Sequence, residues 1–206
     1  MTARSPIEFV RQLLNGNVQR AGNRVQLEDA NGNPITALNP VPLGSLGASE
    51  AHVGEVGGNA ITITLTPVLT VAGAYAPGDF VGTSATALIL ANAARVSLGS
   101  GVIESAVLED SALQSQPCEL WLFDTAITPP NDNAAWTLTD AHAKTCIGVI
   151  QFSTYYASAL NSVANGVGLP IGFVSLGTGL WGALVTRGSP TYATGDVTVR
   201  LNIARN

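Results

Sequence analysis

Leu180-Trp181-Gly182-Ala183-Leu184-Val185-Thr186, a break at Arg187-Gly188-Ser189-Pro190, then Asp196-Val197-Thr198-Val199-Arg200-Leu201-Asn202-Ile203: this stretch decides the fold. The second run alternates strictly, with Val197, Val199, Leu201 and Ile203 on one face and Asp196, Thr198, Arg200 and Asn202 on the other. Side chains change faces at every residue of a strand, so the run is a strand with one buried and one wet face, as in an antiparallel sheet covered on a single side. The first run reads as a strand too. The connection across residues 187–195 is longer than a two-residue hairpin loop, so the two strands either pair with each other or belong to different sheets. Nothing in the stretch is chemically reactive, which points to a scaffold or binding protein.

Upstream of it, strand signals recur at short intervals. Ile61, Ile63 and Leu65 alternate with Thr62, Thr64 and Thr66, and Ala76-Pro77-Gly78-Asp79 turns into Phe80-Val81. Residues 87–93, 102–108, 118–123, 147–152 and 171–174 follow as apolar runs bounded by glycine and proline. Eight or nine short strands of this kind specify an all-β, two-sheet sandwich, with a jelly roll as the expected winding. Between them, residues 140–144 read as a single helical turn, and residues 157–164 as another turn of helix or a loop. No internal repeat is present.

Composition agrees. The chain has 206 residues with 22 glycines and 11 prolines but only 11% charged residues, a turn-rich β composition long enough for one body and an appendage. Net charge is −5, which excludes nucleic acid as the main partner. The charge is uneven: residues 1–27 hold Arg4, Arg11, Arg20 and Arg24 against Glu8, so the leader carries +3 and the remainder −8. A basic arm leads an acidic body.

The arm occupies residues 1–51 and the body residues 52–206. Ser5-Pro6-Ile7-Glu8 is a helix start, with serine as cap, proline at the first helical position and glutamate three residues on to close a capping box. Ile7, Val10 and Leu14 form a stripe with Phe9 and Leu13 beside it, over a short helix of about residues 6–14 that Asn15-Gly16 ends. A helix this short is marginal alone in water. It is ordered only by docking that stripe, on its own body or on a neighbouring molecule. Residues 34–58 are rich in proline and glycine and read as an extended linker.

No residue pattern carries chemistry. His52 and His142 lack the spacing of a zinc site and read as surface histidines, so no metal and no cofactor is expected. Oxygen donors in the loop 124–140 lack the order of a calcium loop, and Pro129-Pro130-Asn131-Asp132-Asn133 is explained by turn chemistry. No nucleophile elbow and no phosphate-binding Gly-rich loop occurs, and Glu104 with Glu119 is an acidic pair without geometry. The chain is expected not to be an enzyme. Cys118 and Cys146 read as buried free thiols, with a cross-strand disulfide as the alternative if their strands are neighbours. Trp121 and Trp181 read as core residues, and Trp136, beyond the proline turn, as the tryptophan to be exposed if the loop is not covered.

Residues 145–186 carry no charge, yet glycine and proline interrupt them too often for a membrane helix, so no membrane is expected. Strands buried on both faces, or a surface covered by another subunit, account for the tract. No secretory signal opens the chain, so the expectation is a protein made and used without Sec export.

Several phrases together resemble virion structural proteins of tailed bacteriophages: His52-Val53-Gly54-Glu55-Val56-Gly57-Gly58, Tyr75-Ala76-Pro77-Gly78-Asp79, Gly99-Ser100-Gly101-Val102-Ile103, Leu120-Trp121-Leu122-Phe123-Asp124, Asp132-Asn133-Ala134-Ala135 and Leu184-Val185-Thr186-Arg187-Gly188. The resemblance spans residues 52–203 and leaves the arm uncovered. It implies a capsid decoration, or cement, protein: a small β-sandwich, frequently a jelly roll, that assembles as dimers or trimers on the outer capsid and reinforces joints between subunits. No catalytic residues come with it. The expected partners are the major capsid protein and further copies of the chain, a homotrimer being favoured over a dimer. The expected location is the outer capsid surface of a virion assembled in the host bacterial cytoplasm. On this reading Arg4, Ile7, Phe9, Val10, Arg11, Leu13 and Leu14 are the partner-binding residues, the apolar ones filling a groove and the arginines steering. The alternative is a tail- or fibre-associated module that binds host glycans through Trp136 and the loop 124–140, and a third is a glycan hydrolase of particle entry.

Overall fold

The computed structural model describes residues 60–70 and 73–205, together with the backbone of two short strands further upstream. The chain divides into two compact units, Met1–Val56 and Gly57–Asn206. In the first, β1 (Val18–Ala21) pairs antiparallel with β2 (Arg24–Leu27), Val18 opposite Leu27 and Ala21 opposite Arg24. The expected helix and linker of the arm lie outside the described residues.

The second unit is the all-β, two-sheet sandwich, and its described residues form eleven strands rather than eight or nine. Sheet I runs β3 (Ala60–Leu65), β13 (Val197–Arg205), β6 (Ser100–Asp110), β10 (Ser162–Asn165), β9 (Tyr155–Ala157), with β11 (Ile171–Val174) also on β6. Sheet II runs β4 (Phe80–Val81), β12 (Leu180–Thr186), β7 (Cys118–Phe123), β8 (Cys146–Phe152), with β5 (Leu88–Leu90) also on β12. All pairs are antiparallel. Thus β12 and β13 do not pair with each other. Their connection crosses from one sheet to the other.

β13 follows its alternation: Val197, Val199, Leu201 and Ile203 are buried between the sheets. Each such side chain stabilises the fold by about 1.5–3 kcal/mol. Ile103, Ala106 and Leu108 of β6 line the same core, and a bulge at Glu104 shifts the register so that Ile103 and Ala106 both point inward. Gly101 is required where Phe173 crosses β6: a Cβ there would lie 2.7 Å from the Phe173 Cζ and 2.8 Å from the Ala204 carbonyl oxygen. From sheet II, Leu120 and Leu122, Ile150 and Phe152, and Leu180 and Leu184 close the core.

β12 is buried along nearly its whole length. Leu180 and Leu184 face the core, whereas Trp181 and Ala183 face outward into a second cluster with Phe80, Trp121, Phe123, Ile127, Trp136 and Leu138. Trp121 and Trp181 are therefore half-buried members of an outer cluster, not residues of the main core. Residues 157–164 form no helix; the loop reading holds for 158–161, the turn of a hairpin made by β9 and β10, with Tyr156 opposite Val163 and Ser158 accepting the amide protons of Leu160 and Asn161. The helical turn is present as α1 (Asp140–Ala143), where the Thr139 side chain accepts from the His142 amide at 3.2 Å.

The cysteines are free. Their strands are neighbours, yet Cys118 lies opposite Phe152 and Cys146 opposite Phe123, at the two ends of the β7–β8 pair. Five residues of strand separate them by roughly 16 Å. A disulfide needs Cα atoms within about 7 Å.

Candidate functional site

One end of the sandwich carries the connections 66–79, 111–117, 158–161 and 187–196, and the other carries 91–99, 124–145 and 175–179. Three places on this frame gather side chains that could act.

The first is the outer face of sheet II. The chain leaving β7 does not return directly to β8 but crosses this face and pairs with the edge strand β4: the Phe80 amide donates to the Ala134 carbonyl at 2.9 Å, Asn133 to Phe80 at 3.0 Å and Trp136 to Gly78 at 2.8 Å. Buried Asp132 pins the crossing. Its Oδ1 accepts from the Tyr75 hydroxyl at 2.7 Å and the Gly82 amide at 3.3 Å, and its Oδ2 from the Thr70 amide at 2.6 Å. Burial first, and the bond to Asp132 second, raise the Tyr75 phenol well above its ordinary range. The Trp136 ring packs at 6.1–6.4 Å from those of Trp121, Phe80 and Phe123, half-buried, with its indole N–H buried and without a protein acceptor. Aromatic contacts hold Trp136 against the sheet, while Thr128, Asn131 and Thr137 of the same loop are exposed. Beside it, Glu119 accepts from Arg187 Nη2 at 2.6 Å and from Trp121 Nε1 at 3.1 Å, and the guanidinium holds its carboxyl below the usual range. Glu119 thus faces outward from sheet II while Glu104 is exposed on sheet I. They do not form a facing pair.

The second place is a polar knot under the connection 111–117. Asp110, fully buried, accepts from the Ala112 amide at 3.0 Å and the Ser115 amide at 2.6 Å; the Tyr155 hydroxyl donates to the Gln116 carbonyl at 2.7 Å. The Cys118 thiol lies here, and burial pushes its pKa up to about 12. Thiolate is the nucleophilic form, so this sulfur is inert at neutral pH. Each bond closes a turn. The knot's chemistry is structural.

The third place is the end formed by residues 91–99 and 175–179. Ala94 donates to the Thr178 carbonyl at 3.0 Å, Ser175 to Gly99 at 2.9 Å, and the Ser97 hydroxyl to Leu176 at 3.0 Å, so two loops are laced into one surface. Leu98 sits at φ 61°, a left-handed conformation that costs a leucine about 1 kcal/mol and is sustained by that lacing. Four large apolar side chains stand exposed on it, with Asn92, Arg95 and Ser97 exposed among them. Val96 is 62% exposed and Leu98 68%, and Val174 and Leu176 stand beside them more than half exposed. Isolated exposed apolar residues are ordinary, but Val96, Leu98 and Leu176 from two loops bonded to each other, with Val174 at the end of β11, make a patch of the kind that interaction sites present.

Sequence reasoning did not single out this end. Leu98 and Leu176 lie in short Gly- and Ser-containing connections that read only as turns, and their proximity depends on two chain segments about eighty residues apart. Arg4, Ile7, Phe9, Val10, Arg11, Leu13 and Leu14, the residues expected to bind a partner, lie outside the described residues, as does His52. His142 is half-buried in α1. Among the described residues no three of His, Cys, Asp and Glu come together to hold a metal ion, and no helix is long and apolar enough to cross a membrane. Comparison of the chain with protein-family models, with curated proteins and with solved structures finds no match.

Proposed function

We propose that this chain is a decoration protein of a tailed-bacteriophage particle, held on the outer capsid and stabilising joints between major capsid subunits. The observation that carries the reading is the apolar patch at one end of the sandwich, where Val96, Leu98, Val174 and Leu176 stand exposed on a chain with little charge. Such a surface gains about 1.5–3 kcal/mol for each side chain that a partner covers, which suits adhesion rather than turnover.

The strand order supports the same reading. Take β4 with β5, and β10 with β11, as one strand each, and leave the short β9 aside. In sequence order the sheets then run 1-8-3-6 and 2-7-4-5. We read this winding as a jelly roll, an architecture that capsid proteins use. The resemblance of residues 52–203 to virion structural proteins points the same way. The arm adds to the grip: Ile7, Phe9, Val10, Leu13 and Leu14 fill an apolar groove on a neighbouring capsid subunit, and Arg4 and Arg11 steer the approach. Several arms on a homo-oligomer, a trimer in preference to a dimer, turn modest contacts into avidity.

The test is occupancy on capsids that lack the protein. Purified chain should decorate them, and Leu98→Asp with Leu176→Asp should lower the affinity about 10-fold or more. Removal of residues 1–50 should leave a folded body that no longer binds. Decoration at undiminished occupancy by both variants, or binding to cells and glycans but not to capsids, would refute the proposal.

A further inference from the structure

From residue 145 to residue 186 the chain carries no charge, and the sandwich uses only part of that tract internally. β12 is consumed by burial on both faces. The β9–β10 hairpin is not. Tyr156 is 63% exposed and Leu160, at the tip of the turn, 80%; Val163 lies opposite Tyr156 on the same outward face, and Val167 follows in the connection to β11, also exposed. Ala157 and Ala159 are exposed between them. Among the described residues β9 is also the last strand of its sheet, paired with β10 on one side, and no described strand pairs with its other edge.

We infer that this hairpin is the contact through which copies of the chain associate, a refinement that rests on the self-association in the decoration reading. Three arguments favour a second copy as the occupant. First, each copy carries a net charge of −5, and the hairpin itself carries no charge; on that face Glu109 of β6 lies exposed opposite Val163, and it stays in water at the rim of a contact centred on Tyr156 and Leu160. Second, an open antiparallel strand edge is complementary to its own equivalent, and at three residues it sets register while the apolar side chains carry the contact. Third, the area is sufficient. The four large side chains offer on the order of 100 Å² each, roughly 400 Å² per copy, close to the apolar share of the about 800 Å² that one partner contributes to a standard interface.

The experiment is sedimentation analysis of the full chain at tens of micromolar, with circular dichroism to establish that each variant is folded. The unaltered chain should sediment as an oligomer. Leu160→Asp combined with Tyr156→Asp places charge where the structure has solvent-exposed side chains, so folding is retained while the dissociation constant rises about 100-fold or more and the monomer dominates. Thr64→Asp, exposed on β3 at the opposite edge of the same sheet, should leave assembly unchanged. A monomeric unaltered chain overturns the inference, as does a hairpin variant that still assembles, or a Thr64→Asp variant that dissociates equally. Capsid binding enters none of these readouts. A protein that assembles through the hairpin but ignores capsids would sink the decoration reading and leave this contact standing.

Discussion

Replacing Asp132 by alanine is the sharpest test of how the outer face of sheet II is held. The carboxylate is 3% exposed and accepts from the Tyr75 hydroxyl, the Thr70 amide and, less closely at 3.3 Å, the Gly82 amide. Bonds to a charged acceptor contribute about 1.5–3 kcal/mol each. The Thr70 amide is only part-buried, so water can replace its partner. The Tyr75 hydroxyl is enclosed and stays unpaired. Counting that bond in full and the two amides at a fraction gives a loss of about 3 kcal/mol. For a body of this size that lowers the midpoint of thermal unfolding by about 6–12 °C. The comparison variant Tyr75→Phe removes that one bond and leaves Asp132 its two amides, so it should cost less, about 1.5–2 kcal/mol. Urea unfolding followed by far-ultraviolet circular dichroism and by tryptophan emission measures both. The Asp132→Ala change should also alter the emission of the cluster around Trp136, because the crossing segment loses its anchor. A loss below about 1 kcal/mol for Asp132→Ala, or equal losses for the two variants, would refute the reasoning.

Cys118 should resist alkylation in the folded protein at neutral pH while Cys146, half-buried, reacts ahead of it; mass spectrometry after brief labelling reads this, and rapid native labelling of Cys118 would contradict its burial. Stability should fall in alkali: the folded state raises the Cys118 thiol from 9.0 to about 12, so its contribution is complete below pH 9 and is lost as pH climbs toward 12, a trend that urea midpoints at pH 7, 9 and 10.5 would expose. Gly101→Ala should cost about 1–3 kcal/mol, since its Cβ would strike Phe173 and the Ala204 carbonyl oxygen. Gly172→Ala meets nothing within 4 Å and should be close to neutral. Equal melting temperatures for these two variants would mean that Phe173 of β11 does not lie against Gly101 of β6 as described.

What could be read from residues alone was whatever rests on local periodicity. The alternation of Val197, Val199, Leu201 and Ile203 identified a strand with one buried face, the punctuated apolar runs identified a β-sandwich, and residues 140–144 read as a helical turn, because such patterns act over two to four residues. The β9–β10 hairpin escaped that reading: Ser158 and Asn161 bond within their own turn as they would at a helix start, and only pairing with β6 distinguishes the two. The tertiary structure alone decided which strands share a sheet and what covers them. Apolar residues at nearly every position of β12 fit a strand sealed on both faces, but the seal comes from Trp136 and its loop, set down on Phe80 by bonds across more than fifty residues. A strand's own pattern states that a face must be hidden; which distant segment hides it depends on how the chain closes on itself, and that is a property of the assembled surfaces rather than of any stretch of sequence.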